Sequence, residues 1–299
     1  MNSTAGNLRM LSIGLCAHLA CIWESTARKP GNVHRFQDFE NLSFIDLLLS
    51  AAAITPVLED ARQKPVGETV LACIRATRQV VRTNTNLGIV LLLAPLAAVA
   101  RDERLPAGLK HILTTLTARD SQLVYEAIRL AAPGGLGRVS QQDLNDVPTE
   151  PLQAIMAMAA DRDVIARQYV NGFQEVLQSG LPALHEGVQK TQSLEGAIVY
   201  CHLRLLSSFP DTLIVRKRGQ PEADEAARRA QKTLDSNWPM HPAGRCALAE
   251  LNDWLRADGQ GRNPGATADL VTASLFVALR DGTIEVPLRF PWVAGFDHA

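Results

Sequence analysis

A carboxylate and three cations surround the first predicted turn of the chain. Residues 24–35 read Glu-Ser-Thr-Ala-Arg-Lys-Pro-Gly-Asn-Val-His-Arg, and the Pro-Gly pair ends the preceding helix. Fixed cations neutralise phosphate oxygens, and a carboxylate such as Glu24 is a ligand that Mg²⁺ accepts. Lys and Arg are also favoured at ordinary helix C-termini, so a purely structural role stays open. The residues assigned here to nucleotide binding are Lys29, Gly31, Asn32, His34 and Arg35.

A second segment of this kind begins at Asp211. An apolar run follows the carboxylate and leads to three adjacent cations at 216–218 and then to Gly219. The spacing predicts Asp211 near a metal ion, and Lys217 or Arg218 near phosphate, with Gly219 at the turn. A solvated charge run on the surface is the alternative interpretation.

The third carboxylate, Asp269, lies in a predicted helix that Pro264 and Gly265 introduce. Thr267 lies in the first turn of this helix, and Asp269 follows two residues later. An acid near a helix N-terminus already compensates the helix dipole, so a structural role is open here too. A second magnesium carboxylate is the functional alternative.

Four consecutive hydrogen-bonding side chains separate two strongly apolar predicted helices. Residues 83–88 read Thr-Asn-Thr-Asn-Leu-Gly, and a single N-cap does not use that many polar groups. If the side chains lie inside the fold they need partners, which a ligand or a doubly capped turn would supply. We assign substrate orientation to this segment and to the start of the last helix: Thr83, Asn84, Thr85, Asn86, Pro264, Gly265 and Thr267.

The elements that must position these residues are helices. Apolar residues recur at helical spacing, and Thr283–Phe290 is the one segment with an extended pattern, as a short hairpin. We therefore predict an all-α fold, a single large multi-helix bundle over residues 1–299. Free backbone N–H groups at helix ends attract anions, so we expect the four segments to meet in one cleft. The predicted helices cover roughly 7–26, 42–60, 67–82, 86–101, 105–116, 119–131, 150–160, 162–178, 193–208, 221–236, 241–257 and 266–280, with a loop at 133–148.

Composition excludes several classes of protein. The 30 Lys and Arg residues balance 31 Asp and Glu residues, which removes the positive charge of a dedicated nucleic-acid binder. The five cysteines form no Cys-x-x-Cys pair, which indicates reduced, buried thiols. The longest apolar run, 87–100, is too short to span a bilayer and contains Pro95. These features predict a cytoplasmic protein, and its apolar content is compatible with a homodimer.

The order of the four segments resembles the triphosphoribosyl-dephospho-coenzyme A synthase family. The family's Lys-Pro-Gly-x-Val-x-Arg motif is matched by residues 29–35, and its Asn-Thr-His-Lys-Gly motif by residues 84–88. Its Asp-Thr and Arg-Gly-Gly segment corresponds to residues 211–219, and its Ser-Pro-Gly-Gly-x-Ala-Asp-Leu motif to residues 263–270. Asn and Leu occupy positions 86 and 87, where the family has His and Lys.

The resemblance implies an all-α transferase that uses ATP as a substrate together with Mg²⁺. The family joins C1 of the ATP ribose to a ribose hydroxyl of dephospho-coenzyme A and expels adenine, in prosthetic-group biosynthesis. Glu24, Asp211 and Asp269 would then be the catalytic and metal-binding carboxylates, and the partners would be small nucleotides. Two alternatives stay open: a nucleotide-dependent enzyme of another cofactor pathway, for example pterin- or furan-linked one-carbon metabolism, and a non-catalytic nucleotide-binding or assembly protein.

Overall fold

Helices account for all the regular structure in the part of the chain that the computed structural model describes, residues 11–132, 147–288 and 290–293. No strand forms within those residues, so the all-α prediction is confirmed and the hairpin expected at 283–290 is absent from them. Of the predicted loop 133–148, only its last two residues are described. The α-helices are α1 (Ile13–Thr26), α2 (Phe44–Glu59), α3 (Val66–Val80), α4 (Leu87–Ala98), α5 (Leu105–Thr114), α6 (Ala118–Ala131), α7 (Leu152–Ala159), α8 (Val164–Asn171), α9 (Leu181–Thr191), α10 (Leu194–Ser208), α11 (Thr212–Arg218), α12 (Gln220–Asp235), α13 (Pro242–Arg256) and α14 (Gly265–Arg280).

Three of these helices differ from the prediction: α8 is shorter, and α9 and α11 lie outside every predicted helix. The helix expected at 162–178 is divided, because α8 ends at Gly172 in the left-handed conformation and a π-helical turn, Glu175–Gly180, leads into α9. Pro182 lies in the first turn of α9, where proline is compatible with a helix. The stretch after Asp211, expected as a break, is the short helix α11, which the Asp211 carboxylate caps.

Polar side chains define where several helices begin. Ser43 and Asp46 form a reciprocal capping box at α2, and Thr117 and Asp120 form another at α6. The Asp163 carboxylate accepts hydrogen bonds from the backbone N–H groups of Ile165 and Ala166 at the start of α8. These caps fix the starts of α2, α6 and α8.

The centre of the molecule is formed by α4 and α14. Almost every residue of both helices is buried, α4 packs against α14 and α3, and α14 also packs against α1. A helix that is apolar all round belongs in the interior of a large protein, which explains the apolar run of α4. A second, smaller hydrophobic cluster joins the outer face of α10 to the helices α11, α12 and α13.

None of the helices in the described residues is both long enough and apolar enough to cross a lipid bilayer. The organisation of residues 1–299 as one domain remains a prediction.

Candidate functional site

The first predicted segment is a loop that leaves α1 and lies against α13. Gly31 has a φ of 73°, and a Cβ atom there would lie 2.6 Å from Leu255 Cβ, so glycine suits both the conformation and the close approach. The Gly31 N–H donates to Asn252 Oδ1 at 3.0 Å, and Arg256 Nη1 donates to Asn32 O at 2.8 Å. The loop is therefore held in place by α13, more than 200 residues further along the chain.

Asn32 joins this loop to the last segment. Its Nδ2 donates to Asn263 Oδ1 at 3.0 Å, directly before the Pro264-Gly265 pair that begins α14. Gly265 allows α11 to pack closely, because a Cβ atom there would lie 2.7 Å from Leu213 Cδ2. The segments at 24–35, 211–219 and 263–270 therefore adjoin one another.

Lys29 is fully buried and satisfies its charge inside the protein. Its ammonium group lies 2.9 Å from Glu24 Oε1 and donates to Glu24 O at 2.5 Å and to Ala27 O at 3.3 Å. Burial raises the pKa of Glu24, and the Lys29 charge partly offsets this effect. Lys29 thus compensates a buried carboxylate and presents no charge at the surface.

Glu195, in the first turn of α10, pairs with two arginines of the first segment. Arg28 binds it through Nε and Nη2, both at 2.9 Å, and Arg35 binds it through Nη1 at 2.7 Å and Nη2 at 3.1 Å. Burial alone would raise the pKa of Glu195, but the hydrogen bonds from Arg28 and Arg35 lower it overall. The sequence did not predict a role for Glu195, because an acidic residue in the first turn of a helix is common. The only sequence feature that pointed to a partner was the excess of cations at 28–35, which need an acidic residue nearby.

His34 lies buried among these cations. Burial, followed by the charges of Lys29, Arg256, Arg35 and Arg28, lowers its pKa to about 4. The ring is therefore neutral near pH 7, and its Nδ1 lies 3.3 Å from the Phe36 N–H that donates to it.

Asp211 joins two helix N-termini. Its Oδ1 accepts from the backbone N–H groups of Leu213 at 2.8 Å and Ile214 at 3.1 Å, which caps α11. Its Oδ2 accepts from the N–H of Thr267 at 2.7 Å and from Thr267 Oγ1 at 2.8 Å, in the first turn of α14. Burial raises the pKa of Asp211, while the hydrogen bonds from Thr267 oppose the change. With four hydrogen bonds, this carboxylate has no lone pair left for a metal ion.

Asp269, two residues further along α14, has a different environment. Its carboxylate lies against Gly88 at the start of α4, where a Cβ atom would overlap Asp269 Oδ2. No hydrogen bond from another described residue reaches it, and burial together with Glu24, Asp211 and Asp163 raises its pKa well above the usual value. An unpartnered carboxylate of this kind is what a cation or a developing positive charge would stabilise.

The three adjacent cations of α11 point in different directions. Lys217 Nζ donates to Gln260 O at 3.0 Å, and Arg218 Nη2 donates to Asp258 Oδ1 at 2.7 Å. Burial lowers the pKa of Lys217. Arg216, which lies 3.9 Å from Asp163 Oδ2, is the cation whose charge acts on Asp269. Gly219, with a φ of 90°, ends α11 and begins α12.

The segment before α4 uses part of its polar groups internally. Asn84 Oδ1 accepts from the Leu87 N–H at 3.2 Å, and Thr85 Oγ1 lies 2.5 Å from Ser50 Oγ. Buried Asn86 donates from Nδ2 to Thr77 Oγ1 at 2.9 Å, and no donor in the described part of the chain reaches its Oδ1. Thr83 is half-buried before them. This segment therefore combines a capped turn with one unsatisfied acceptor.

The carboxylates do not form a ready-made metal centre. No group of three His, Cys, Asp or Glu side chains within the described ranges is placed to hold a metal ion. Glu24 and Asp269 do act on each other electrostatically and border the start of α4. Two carboxylates are enough for an ion such as Mg²⁺ that is also bound by the phosphates of a substrate.

The chain matches the CitG family, described as ATP:dephospho-CoA triphosphoribosyl transferase, over residues 10–286. It belongs to this family. All four segments lie inside the matched region, so the family predicted from them is confirmed. Asn86 and Leu87 remain departures within it, and Leu87 is buried rather than available to a ligand.

Solved and sequence relatives agree with this family assignment. A crystal structure from Archaeoglobus fulgidus, assigned as a triphosphoribosyl-dephospho-CoA synthase, has a TM-score of 0.60 and 30% identity and covers 79% of this chain and 99% of that chain. A protein of Pseudomonas savastanoi pv. phaseolicola, assigned as a 2-(5''-triphosphoribosyl)-3'-dephosphocoenzyme-A synthase, is 25% identical over 174 residues, 56% of each chain. One of Pectobacterium carotovorum subsp. carotovorum with the same assignment is 33% identical over 101 residues, 34% of this chain and 31% of that one. The matched regions therefore span about half or less of these two sequence relatives.

Proposed function

We propose that this chain transfers the 5-triphosphoribosyl group of ATP to a ribose hydroxyl of dephospho-CoA in prosthetic-group biosynthesis. The observation that carries the proposal is the Asp269 carboxylate of α14, which lies against the start of α4 and accepts no hydrogen bond from the described residues. Membership of a triphosphoribosyl transferase family supports the same reaction.

The proposed step exchanges one bond at the ribose C1 of ATP. The bond from C1 to adenine breaks, adenine leaves with the bonding electrons, and the acceptor hydroxyl forms a new bond to C1. The proton of that hydroxyl leaves with adenine, which balances the step. Positive charge develops on the sugar during the exchange, and a carboxylate without hydrogen-bond donors stabilises such charge most strongly. We assign this role to Asp269.

We also assign Mg²⁺ to the carboxylates of Asp269 and Glu24, whose charges act on each other. Mg²⁺ is usually bound by one or two carboxylates together with substrate phosphates, and Asp269 and Glu24 provide that number. When bound, the ion would neutralise triphosphate oxygens. Asp211 is not part of this proposal, because its oxygens already accept four hydrogen bonds.

We assign triphosphate binding to the partly exposed arginines at this end of the molecule. Arg216 acts electrostatically on Asp269, and the side chain of Arg28 is 34% exposed while Glu195 fixes its orientation. Lys29 and Arg35 then have positioning roles, because the first is fully buried and the second is bound to Glu195. Lys217 and Arg218 are not part of this assignment, because Lys217 donates to Gln260 O and Arg218 is paired with Asp258.

The proposal also covers the binding partners and the cellular location of the protein. The substrates are small nucleotides rather than nucleic acid, and their intracellular occurrence locates the reaction in the cytoplasm. A homodimer stays a prediction; the exposed side chains of Ile45 and Leu49 on α2 are compatible with it, and light scattering tests it.

Adenine release tests the proposed function directly. Protein incubated with ATP, Mg²⁺ and dephospho-CoA should release adenine and yield dephospho-CoA enlarged by one triphosphoribosyl group, both measured by chromatography and mass spectrometry. Asp269→Asn should abolish release, while Asp235→Asn, on the exposed side of α12, should leave it unchanged. ATP that binds but releases no adenine in the presence of dephospho-CoA would contradict the transfer.

A further inference from the structure

A small, partly enclosed cavity lies between α1, α2 and the start of α4. Its polar lining comes from Cys21, Glu24, Ser25, Ser50, Thr85 and Asn86, and its apolar lining from Leu47, Ala51, Ile54 and Ile89. The volume open to the centre of a water molecule is about 10 Å³, which is the space that one water-sized group needs. The cavity therefore accepts a single hydroxyl or amino group and is too small for a ring.

The hydroxyl groups in the cavity wall donate their protons elsewhere. Ser25 Oγ donates to Ile22 O at 3.2 Å, and Ser50 Oγ donates to Asp46 O at 2.6 Å. Because the Ser50 proton is used, Thr85 Oγ1 is the donor in its 2.5 Å hydrogen bond with Ser50 Oγ. No hydroxyl proton is left to point into the cavity.

The polar groups that remain are acceptors. Asn86 is 4% exposed, its Nδ2 donates away from the cavity to Thr77 Oγ1, and its Oδ1 has no hydrogen-bond partner among the described residues. The Glu24 carboxylate contributes further acceptor oxygens, and the Cys21 thiol is only a weak donor. An unsatisfied buried acceptor costs free energy, which an incoming donor recovers. The same wall repels phosphate and carboxylate groups, which bring only acceptors.

We infer that this cavity is a subsite for one hydrogen-bond-donating group, a hydroxyl or an amino group, of a nucleotide substrate. The inference rests on the proposed function and adds to it the feature by which the site would select its nucleotides. Asn86 lies two residues before Gly88, whose backbone contacts the Asp269 carboxylate, so a group held here is close to the proposed reacting centre.

Nucleotide analogues that differ at one group test the subsite. Calorimetry would compare ATP and dephospho-CoA with their 2'-deoxy, 3'-deoxy and 2'-fluoro forms, and ATP with purine riboside triphosphate, which lacks the amino group. We expect that the analogue lacking the group that fills the cavity binds about 10- to 100-fold more weakly than its parent nucleotide. This is the usual effect of leaving a buried acceptor unpaired. Fluorine accepts but does not donate, so a 2'-fluoro analogue should bind as poorly as the 2'-deoxy form if the 2'-hydroxyl fills the cavity.

Two variants connect the effect to Asn86. Asn86→Leu has a similar size but no acceptor, so discrimination against the sensitive analogue should fall below 2-fold. Thr77→Val removes the other hydrogen bond of the Asn86 amide and leaves Oδ1 in place, so it should retain the discrimination. Circular dichroism and thermal unfolding would confirm that both variants fold, and the analogue series on the unaltered protein stands without them.

The outcomes separate the inference from the proposed function. Equal binding of all analogues by the unaltered protein, or undiminished discrimination in Asn86→Leu, would overturn the inference alone. A protein that binds neither ATP nor dephospho-CoA would overturn the proposed function and the subsite together. Adenine release with normal kinetics but without analogue discrimination would leave the reaction standing and the subsite rejected.

Discussion

Glu195 forms ion pairs with Arg28 and Arg35 and should therefore contribute measurably to the stability of the folded protein. Glu195→Gln has the same shape but leaves Arg28 and Arg35 without their bidentate carboxylate. Because both arginines are partly exposed, we expect a loss of about 2 kcal/mol in the free energy of unfolding at pH 7 rather than the larger cost of a fully buried pair. Urea denaturation measures it.

The same residue predicts a pH dependence. Because the folded-state pKa of Glu195 is lowered, its contribution is present above the ordinary glutamate pKa, about 4.3, and is lost as the pH falls through the lower folded-state value. The stability difference between the unaltered protein and Glu195→Gln should therefore shrink below about pH 4. Glu250→Gln, at an exposed ion pair with Lys232, is the matched control and should show no measurable loss. An equal loss in both variants would contradict the prediction.

Replacement of Asp269 is expected to raise the stability of the protein and to abolish its function. Its pKa is raised because burial and three nearby carboxylates disfavour its charge, so the ionised form destabilises the folded protein. Asp269→Asn should therefore increase the free energy of unfolding at pH 7 by about 1 kcal/mol while it abolishes binding of ATP with Mg²⁺.

The stability of the unaltered protein should also decline as the pH rises from the ordinary aspartate pKa to the raised folded-state value, and Asp269→Asn should lack this decline. Thermal unfolding across that range and calorimetry with ATP and Mg²⁺ provide the measurements. A variant that is less stable than the unaltered protein would show that Asp269 has an internal structural partner. A variant that still binds ATP with Mg²⁺ would show that Asp269 is not needed for this binding.

Sequence reasoning located the segments of the site but not the partners of single residues. The Lys-Pro-Gly-x-Val-x-Arg motif indicated cations, yet Lys29 is fully buried against Glu24 and Arg35 is bound to Glu195, 160 residues away. Residue types and local spacing reveal a charge, but only the fold determines which opposite charge lies beside it. For the same reason, the sequence favours Lys217 and Arg218 for phosphate binding, although Arg216 is the cation whose charge acts on Asp269.

At the scale of elements, caps shared between helices hold the site together. Asp211 caps α11 and also accepts two hydrogen bonds from Thr267 in α14. Asp211→Asn keeps the cap but turns an NH₂ group towards the Thr267 N–H, so two donors face each other. We expect the free energy of unfolding to fall by about 2 kcal/mol, as measured by urea denaturation.

Asp163 offers the matched control for this prediction. It also caps a helix through Oδ1, but its Oδ2 lies 3.9 Å from Arg216 and accepts no backbone hydrogen bond. Since asparagine and aspartate are equivalent N-caps, Asp163→Asn should cost less than about 1 kcal/mol. Similar losses in both variants would mean that Asp211 acts as a cap alone.

Helix content followed from the sequence more closely than helix boundaries did. Apolar residues at helical spacing predicted α4 and α14, which form the core, because long apolar elements are specified by their own residues. The seven-residue α11 escaped prediction, because its two turns depend on the Asp211 cap and on packing against α12 and α14. Short helices owe their stability to tertiary contacts that a sequence window does not contain.

At the scale of the whole molecule, two hydrophobic clusters adjoin at α10, which contributes side chains to both. The larger cluster contains α4 and α14, whereas the smaller one joins α10 to α11, α12 and α13. The loop after α1 crosses between them, because Asn252 and Arg256 of α13 hold its backbone at Gly31, Asn32 and Asp38. An opening of α13 therefore releases the loop that carries Arg28 and Arg35.

This connection predicts that a ligand protects a helix that it does not touch. Local openings that break a binding site are suppressed by the free energy of binding, about 2.7 kcal/mol at a ligand concentration 100 times Kd, which slows amide exchange about 100-fold. We expect saturating ATP with Mg²⁺ to slow hydrogen exchange in α13 as well as in residues 28–38, while α5 (Leu105–Thr114) is unaffected in its local openings. Arg256→Met removes two of the three side-chain hydrogen bonds that join α13 to the loop and should reduce the protection of α13 without removing that of the loop. Protection limited to the loop in the unaltered protein would show that α13 opens independently of the site, and the smaller cluster would then be a separate unit of local unfolding.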